Sequence, residues 1–594
     1  MKKLCSVISL ILVGMMLVGT LTSCSTLEKN DRGAIITAYL TDEIYDFDPL
    51  LAYTDASAAR ILSLVYEGLT RLNEKGNWEK AMMSGYKEIP PVEEDDGYKI
   101  RVELRANKWS DGRPVQAGDF VTAWERILEP TTACEAAALL FDVKNAKEIK
   151  MGDVSVDDLG VRAVEPYVLE IEFAEKEVDL DAFFRACASI ALVPLRSDKV
   201  GASDKWAKRS SSMVFNGPFA IRGLTIGQEL RLERSAYYYR DTDSNQALDK
   251  YVIPYRIVIK YGYGNTEKQL ERFENGDIFY LGELPLSSRE QYANEANVSD
   301  GTVTYTYVFN TNHPLLAKAE VRRALSMVID RDELAKTIVF ADPATGLIPP
   351  KVFDANGKGS FRTTGDSDGA LIAASADVAA AKALMQSAGV SSGTLNLTIR
   401  PNEVDQAVAA YVASAWEQLG IRVNITPVAA ELEISTEQNQ SNTYKDVFHE
   451  LYESGDFDVI AIDHQMLSSD AFSALAKYAA VYSGNGVDME SPDYDVIPSI
   501  TGYNSEAYNT LISEAYAAGA DSAARTEKLH EAEQLLCEDM PVMPLLFLQD
   551  AYIYKDKVLS GIKETFWGRD LRRVRMRDYM DYKESLEAAE TDNQ

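Results

Sequence analysis

The residues best equipped for chemistry are few, and their spacing fits no common catalytic pattern. The chain has four histidines, His313, His449, His464 and His530. A helical zinc-protease site needs a second histidine four residues after the first, with a glutamate beside the first. His530-Glu531 begins that way, but Gln534 stands where the second ligand belongs, and His449-Glu450 meets Glu453 at the same place. No GxxxxGK[ST] phosphate loop and no GxSxG nucleophile turn occur, and Gly262 and Gly264 lack the third glycine of a dinucleotide loop. A Ser/His/Asp triad needs no proximity in sequence, so spacing alone leaves that reading open. The five cysteines form no CxxC pair, which argues against a zinc ribbon or a redox dithiol. No metal and no cofactor is expected.

Tyrosines are more suggestive. Tyr237, Tyr238, Tyr239, Tyr251, Tyr255, Tyr261, Tyr263 and Tyr280 crowd into a short stretch. A phenol offers an apolar face and a polar tip, which suits an enclosed, hydrated ligand. It also packs well in strands, and for any one tyrosine that is the simpler reading.

The elements that must carry these groups belong to a large exported protein. At 594 residues the chain exceeds one core and should hold about three to five units. Apolar residues at 46% and charged residues at 26% are ordinary for a globular chain. A net charge of −32 repels phosphate backbones, so nucleic acid is not an expected partner. Self-repulsion in solution accounts for such acidity, and steering of cationic ligands is the sharper reading of it.

Lys2 and Lys3 precede an uncharged run from Leu4 to Leu21, and Leu21-Thr22-Ser23-Cys24 closes it. That arrangement resembles a bacterial lipoprotein signal: residues 1–23 are removed, Cys24 carries the lipid, and 24–33 form a tether. Cys134, Cys187 and Cys537 then remain, and three is the wrong number for a disulfide framework. They are expected to be small buried apolar residues.

Ala34–Tyr39 alternates as a strand, and Ile61, Leu64 and Val65 share one face of a helix from Ser57 to Gly68. Strands are predicted at Lys99–Arg105 and Val168–Phe173, with a helix near Gly118–Leu128 that stops before Pro130. Phe219–Leu224 and Gln228–Glu233 read as a strand pair turning at Gly227. After a β-rich run at Val303–Phe309 the pattern becomes helical, near Glu320–Ile329, Asp332–Val339 and Ala376–Ala388. Leu395–Arg400, Val404–Leu419 and Ile421–Thr426 read as strand, helix and strand, a βαβ unit. Phe457–Ile462 is a further strand, followed by helices at Ser505–Ala518 and Ser522–Glu538. Pro349–Gly369 has no periodicity and is expected to be a long exposed loop.

Eight segments, in order, resemble the extracellular solute-binding proteins of peptide ABC importers, the oligopeptide- and dipeptide-binding lipoproteins. They begin with Asp46-Phe47-Asp48-Pro49 and Leu64-Val65-Tyr66-Glu67-Gly68-Leu69. The most specific runs from Leu104 through Trp109-Ser110-Asp111-Gly112 to Asp119-Phe120-Val121 and Trp124, followed by Asn216-Gly217-Pro218-Phe219. Phe309-Asn310-Thr311-Asn312 leads to Val321–Arg331, then Gly455–Val459, Tyr503–Tyr508, and Ala532–Leu536 with Pro541–Pro544.

The resemblance implies an α/β fold of two lobes joined by a hinge, periplasmic-binding-protein-like, with an extra small domain on the first lobe. Transferred to this chain, the first lobe is 34–72, 194–305 and 540–580, the extra domain 73–193, and the second lobe 306–539. Trp109 would pack while Asp111-Gly112 turns the chain. The implied function is capture of peptides between the lobes and delivery to an ABC permease. The implied protein is a monomer, lipid-anchored at the cell envelope, and breaks no bond. One departure stands out. Relatives commonly place an aspartate that holds the peptide's amino terminus within a GW-x-x-DYPDP run. The matching run here is Asp463-His464-Gln465-Met466-Leu467-Ser468-Ser469-Asp470, with Leu467 at the aspartate and His464 at the tryptophan. A leucine cannot neutralise an ammonium group. Asp463, His464, Gln465 and Asp470 are therefore candidate cleft residues, with His464 stacking on or bonding to ligand, and Tyr53 is another candidate by alignment. A lobe-surface loop is the alternative placement for the run, and nickel ligation is an alternative role for His464. The same fold could instead hold an oligosaccharide or a metal complex, and a surface hydrolase is a third reading.

Overall fold

The computed structural model describes residues 33–577, apart from 53–54, 91–96, 240–250, 356, 358, 364–369, 436–440 and 493. Tyr53, Cys24 and the whole N-terminal signal and tether segment lie outside the described residues, apart from Gly33.

An eleven-stranded sheet runs through the molecule. From one edge its order is Ile421–Pro427, Gly393–Ile399, Val459–Gln465, Asn297–Phe309, Val542–Tyr554, Tyr280–Leu281, Ile35–Tyr39, Arg256–Ile259, Glu229–Arg234 and Phe219–Thr225. Ala341–Pro343 branches from Val542–Tyr554. The sheet has two halves, one per lobe. The strand Ile35–Tyr39 sits in the first, with parallel neighbours on both sides. The second holds the predicted βαβ unit: Gly393–Ile399 pairs in parallel with Ile421–Pro427, and helix Glu403–Glu417 connects them. Parallel strands require such a crossover, which is why the sequence alternates strand, helix, strand here.

Two antiparallel strands of 13 residues, Asn297–Phe309 and Val542–Tyr554, cross from one half to the other. Beyond them the first half joins through a short ladder, Tyr280 with Tyr554 and Leu281 with Ile553, beside which the Lys555 N–H donates to the Phe279 carbonyl at 2.9 Å. The crossing strands are irregular between Asp300 and Val303, where Gly301 and Thr302 have no partners in the ladder. A bulge of this kind bends and twists a strand pair.

A separate four-stranded antiparallel sheet is built from Met83–Ile89, Lys99–Leu104, Val168–Glu172 and Val161–Glu165. Beside it the WSDG segment is structural. Trp109 is buried and its Nε1 donates to Asp119 Oδ2 at 3.0 Å. The same oxygen accepts from Gln116 N–H at 2.9 Å and so caps helix Ala117–Leu128. Gly112, at φ +93°, closes the turn by donating its N–H to the Trp109 carbonyl. Cys134, Cys187 and Cys537 are buried thiols that form no disulfide with one another, as expected.

One expectation fails. The described part of 349–369 is irregular but not an exposed loop, because Val352, Asp354, Phe361 and Arg362 are buried. Phe361 stacks on His530 at 4.0 Å between ring centroids, and Arg362 pairs with the fully buried Glu533. The apolar plugs are too few and too unevenly spaced to give a periodic signal, and a lone arginine does not announce its buried partner.

Candidate functional site

The two lobes enclose a cavity of about 720 Å³, floored by the bulge in the crossing strands and by Leu548 to Ala551. Helix Ala56–Val65 contributes from the first lobe. Its N-cap Asp55 accepts from the N–H groups of Ser57 and Ala58, and Arg60 follows one turn on. Tyr39 and Asp42 continue from the end of strand Ile35–Tyr39, and Glu283 follows Tyr280–Leu281. The second lobe supplies Arg400, Glu403 and Asp405 from the junction between Gly393–Ile399 and its helix. This is the carboxyl end of a parallel strand, where open α/β sheets form their crevices. Asp405 also accepts from the Arg400 N–H at 2.9 Å, so the junction is fixed by its own backbone.

Among the described residues nine carboxylates line the cavity, Asp42, Glu43, Asp55, Glu283, Glu403, Asp405, Asp446, Asp463 and Asp550, against four cations, Arg60, Arg289, Lys351 and Arg400. Arg60 lies 3.1 Å from Glu283 and 3.6 Å from Asp550. Arg400 stacks over Phe448, 4.4 Å from the ring centre. Burial raises Glu283 to about 7 even with Arg60 beside it, and Asp405 to about 7, with Asp463 adding to the rise. Asp42 and Asp463 are also raised by burial. Glu283 and Asp405 therefore change charge close to neutral pH.

Strand alternation sorts the candidates from the 463–470 run. In Val459–Gln465, Asp463 pairs with Tyr305 and Gln465 with Val303, and both line the large cavity. His464 falls between them and points the other way. It is buried against Tyr478, with ring centroids 6.1 Å apart, and lines a small adjoining cavity with Glu135 and Lys477 that shares Arg400, Phe448, Asp463 and Gln465 with the large one. Its Nδ1 has no hydrogen-bonding partner, and burial together with Lys477 pushes its pKa well down, so the imidazole is neutral. Asp470 is outside the large cavity: it accepts from Phe472 N–H at 2.8 Å and faces Arg525 at 3.5 Å. Leu467 is buried in the wall of a second cavity, of about 100 Å³, whose lining shares Gln465 and Trp567 with the large one. Of the eight clustered tyrosines, Tyr261 lines the large cavity and Tyr238 the smaller.

Sequence reasoning missed Asp55, Arg60, Glu283, Arg400 and Asp405. A signal for two of them existed. Arg400-Pro401-Asn402-Glu403-Val404-Asp405 is a polar knot between a predicted strand and a predicted helix, at the end of the unit where ligands bind. Glu283 had none, since its position depends on the pairing of a two-residue strand.

The sequence profile of the bacterial extracellular solute-binding proteins, family 5 Middle, matches residues 82–486. The chain belongs to this family. Over 591 residues it is 24% identical to the Oligopeptide-binding protein OppA of Bacillus subtilis, covering 95% of this chain and 97% of that protein. It is 26% identical over 522 residues to the Periplasmic murein peptide-binding protein MppA of Escherichia coli, at 86% and 87% coverage. Among solved structures it superposes on the substrate-binding domain of an oligopeptide ABC transporter from Bacillus anthracis. That match has a TM-score of 0.74 at 22% identity, over 91% of this chain and 98% of the other. The two-lobed α/β fold is thus the family's fold. Among the described residues no helix is long and apolar enough to cross a membrane.

Proposed function

We propose that this solute-binding protein captures peptides between its lobes and hands them to the permease of an ABC importer. The observation that carries the reading is the 720 Å³ cavity walled by both lobes. A ligand there touches both walls at once, so its contacts favour the closed arrangement and can drive closure. The names of the relatives point to peptides as the ligand. The cavity holds acids, arginines and aromatic faces but no assembled nucleophile and base, and binding without turnover is the corresponding behaviour.

In this reading residues 1–23 are a signal, Cys24 carries the lipid, and 24–33 tether a monomeric body to the outer face of the cell membrane or in the periplasm. The boundaries 34–72, 194–305 and 540–580 for the first lobe, 73–193 for the extra domain and 306–539 for the second lobe belong to the same proposal. Asp463 and Gln465 contact the ligand directly. His464 and Asp470 act only through the wall behind it.

The test is to purify the full-length protein in mild detergent, denature it, and identify the released small molecules by mass spectrometry. Peptides, recovered uncleaved after incubation with fresh protein, support the reading. A sugar or a metal complex overturns it while leaving the fold, and Leu467 at the usual aspartate position is the feature that would favour that outcome. Accumulating cleavage products would make the protein a hydrolase.

A further inference from the structure

We propose that the cleft selects ligands carrying cationic side chains, and that Asp463, Asp405 and Asp55 surround the subsite that receives a lysine ammonium or arginine guanidinium. The inference rests on the reading of the cavity as a peptide cleft. Among the described residues nine carboxylates face four cations across it, a surplus of five. A zwitterionic peptide brings one positive and one negative terminus and leaves that surplus untouched. Basic side chains reduce it.

The local arrangement is sharper than the count. Three of the four cations are occupied by the protein. Arg60 is shared between Glu283 and Asp550. Arg289 donates to the carbonyls of Leu284 and Ile338, both at 3.1 Å. Lys351 sits over the Phe566 ring, 5.5 Å from its centre. Arg400 faces Asp55, Asp405, Asp446 and Asp463, all of which act on it electrostatically, and Arg60 adds a weaker attraction at Asp463. Asp55 spends its carboxylate partly on the cap of its helix, and Asp405 on the Arg400 N–H. Burial and neighbouring charges act on Asp463, but no hydrogen bond does among the described residues. Asp463 is half-buried and faces the cavity, and a carboxylate placed there without a donor is well matched to a donor that carries charge. The raised titration of Asp405 and Asp463 agrees with an unmet demand for positive charge.

The experiment is isothermal titration of the full-length protein, stripped of bound ligand, with Ala-Lys-Ala-Ala, Ala-Ala-Ala-Ala and Ala-Glu-Ala-Ala at pH 7.5. The lysine peptide should bind at least tenfold more tightly than the alanine peptide, and the glutamate peptide at least tenfold more weakly. The lysine margin should shrink as salt is raised, a readout that needs no variant. In Asp463→Asn the ratio of lysine-peptide to alanine-peptide affinity should fall to threefold or less, and Asp463→Glu should restore it. N-acetylated lysine and alanine peptides separate the two sources of positive charge. If the margin survives acetylation, the side chain is the ligand group. If it vanishes, the subsite does not recognise the side chain by itself and the side-chain proposal is overturned. Three peptides binding within threefold of one another overturn the charge proposal and leave the peptide receptor standing. No binding by any of them overturns both.

Discussion

Replacing Gly301 by alanine should weaken ligand binding without unfolding the protein. Gly301 lies in the bulge of the crossing strands and in the cavity floor. Its backbone has ordinary dihedrals, so the demand for glycine is one of space. A Cβ there would lie 2.0 Å from the Leu548 carbonyl oxygen, where real Cβ contacts essentially never come under 3.0 Å. The obstacle is backbone, so the crossing strands must separate by about an ångström, and they do so at the junction of the lobes. Overpacking of this size costs about 1–3 kcal/mol. If the closed arrangement bears that cost and the open one relaxes around it, the dissociation constant rises about 5–150-fold. The assay is titration with Ala-Lys-Ala-Ala, paired with small-angle scattering to follow the contraction on binding. Gly118→Ala is the control, since a Cβ at Gly118 meets nothing within 4 Å. Affinity within twofold of wild type, with the same contraction, would refute the assignment of this bulge as the point where closure is set.

Asp405→Asn keeps an oxygen to accept from the Arg400 N–H but cannot ionise. The folded-state pKa of Asp405, about 7, lies above the ordinary carboxyl value, so wild-type stability is lost as pH rises from about 4 to about 7. The variant should therefore melt higher at pH 8, by at most about 4 kcal/mol, and equally at pH 4; a lower melting point at pH 8 contradicts this. Glu533→Ala should cost about 3–5 kcal/mol in thermal unfolding, because it strands buried Arg362 and the N–H groups of Leu347 and Ile348. Glu533→Gln, which can still accept, should recover part of that, and equal losses would count against the pairing. Trp109→Phe should lower stability by about 1–2 kcal/mol by removing the donor to Asp119, with peptide affinity unchanged; a change in affinity would give this segment a role in binding.

The regular elements were legible because their periodicities are strong. Asp332–Val339, for instance, falls within one residue of helix Arg331–Ile338. The strand expected at Phe457–Ile462 starts two residues before Val459–Gln465 and ends three residues short of it, and those three residues matter. With the strand stopped at Ile462, Asp463 to Asp470 read as one loop, all of it eligible for the cleft. Continued to Gln465, the alternation separates Asp463 and Gln465 from His464 without any further information. Boundaries of strands are weak in sequence because the last residues are held by the neighbouring strand, here Val303 to Tyr305, and not by their own composition. Glu283 was hidden for the same reason, more severely. The burial of the 349–363 segment is invisible in its own residues because it comes from Glu533 and His530, far along the chain.

The distribution of charge between the lobes makes closure depend on what is bound. Asp42, Glu43, Asp55 and Glu283 come from the first lobe, Glu403, Asp405, Asp446 and Asp463 from the second, and Asp550 from a crossing strand. Closing an empty cleft brings like charge against like charge and withdraws both sets from water. Two such charges 8 Å apart repel by about 2 kcal/mol at an effective dielectric of 20. Arg400 with Asp55 and Arg60 with Asp463 offset part of this between the lobes, and proton uptake relieves another part, as the raised carboxyls indicate. A cationic ligand placed between the two sets turns this repulsion into attraction. It also touches both lobes at once only when they are closed, so it binds the closed state more tightly than the open one. An acidic cleft is thus a way of keeping an empty receptor open, and a permease that recognised only the closed form would then be presented with loaded protein.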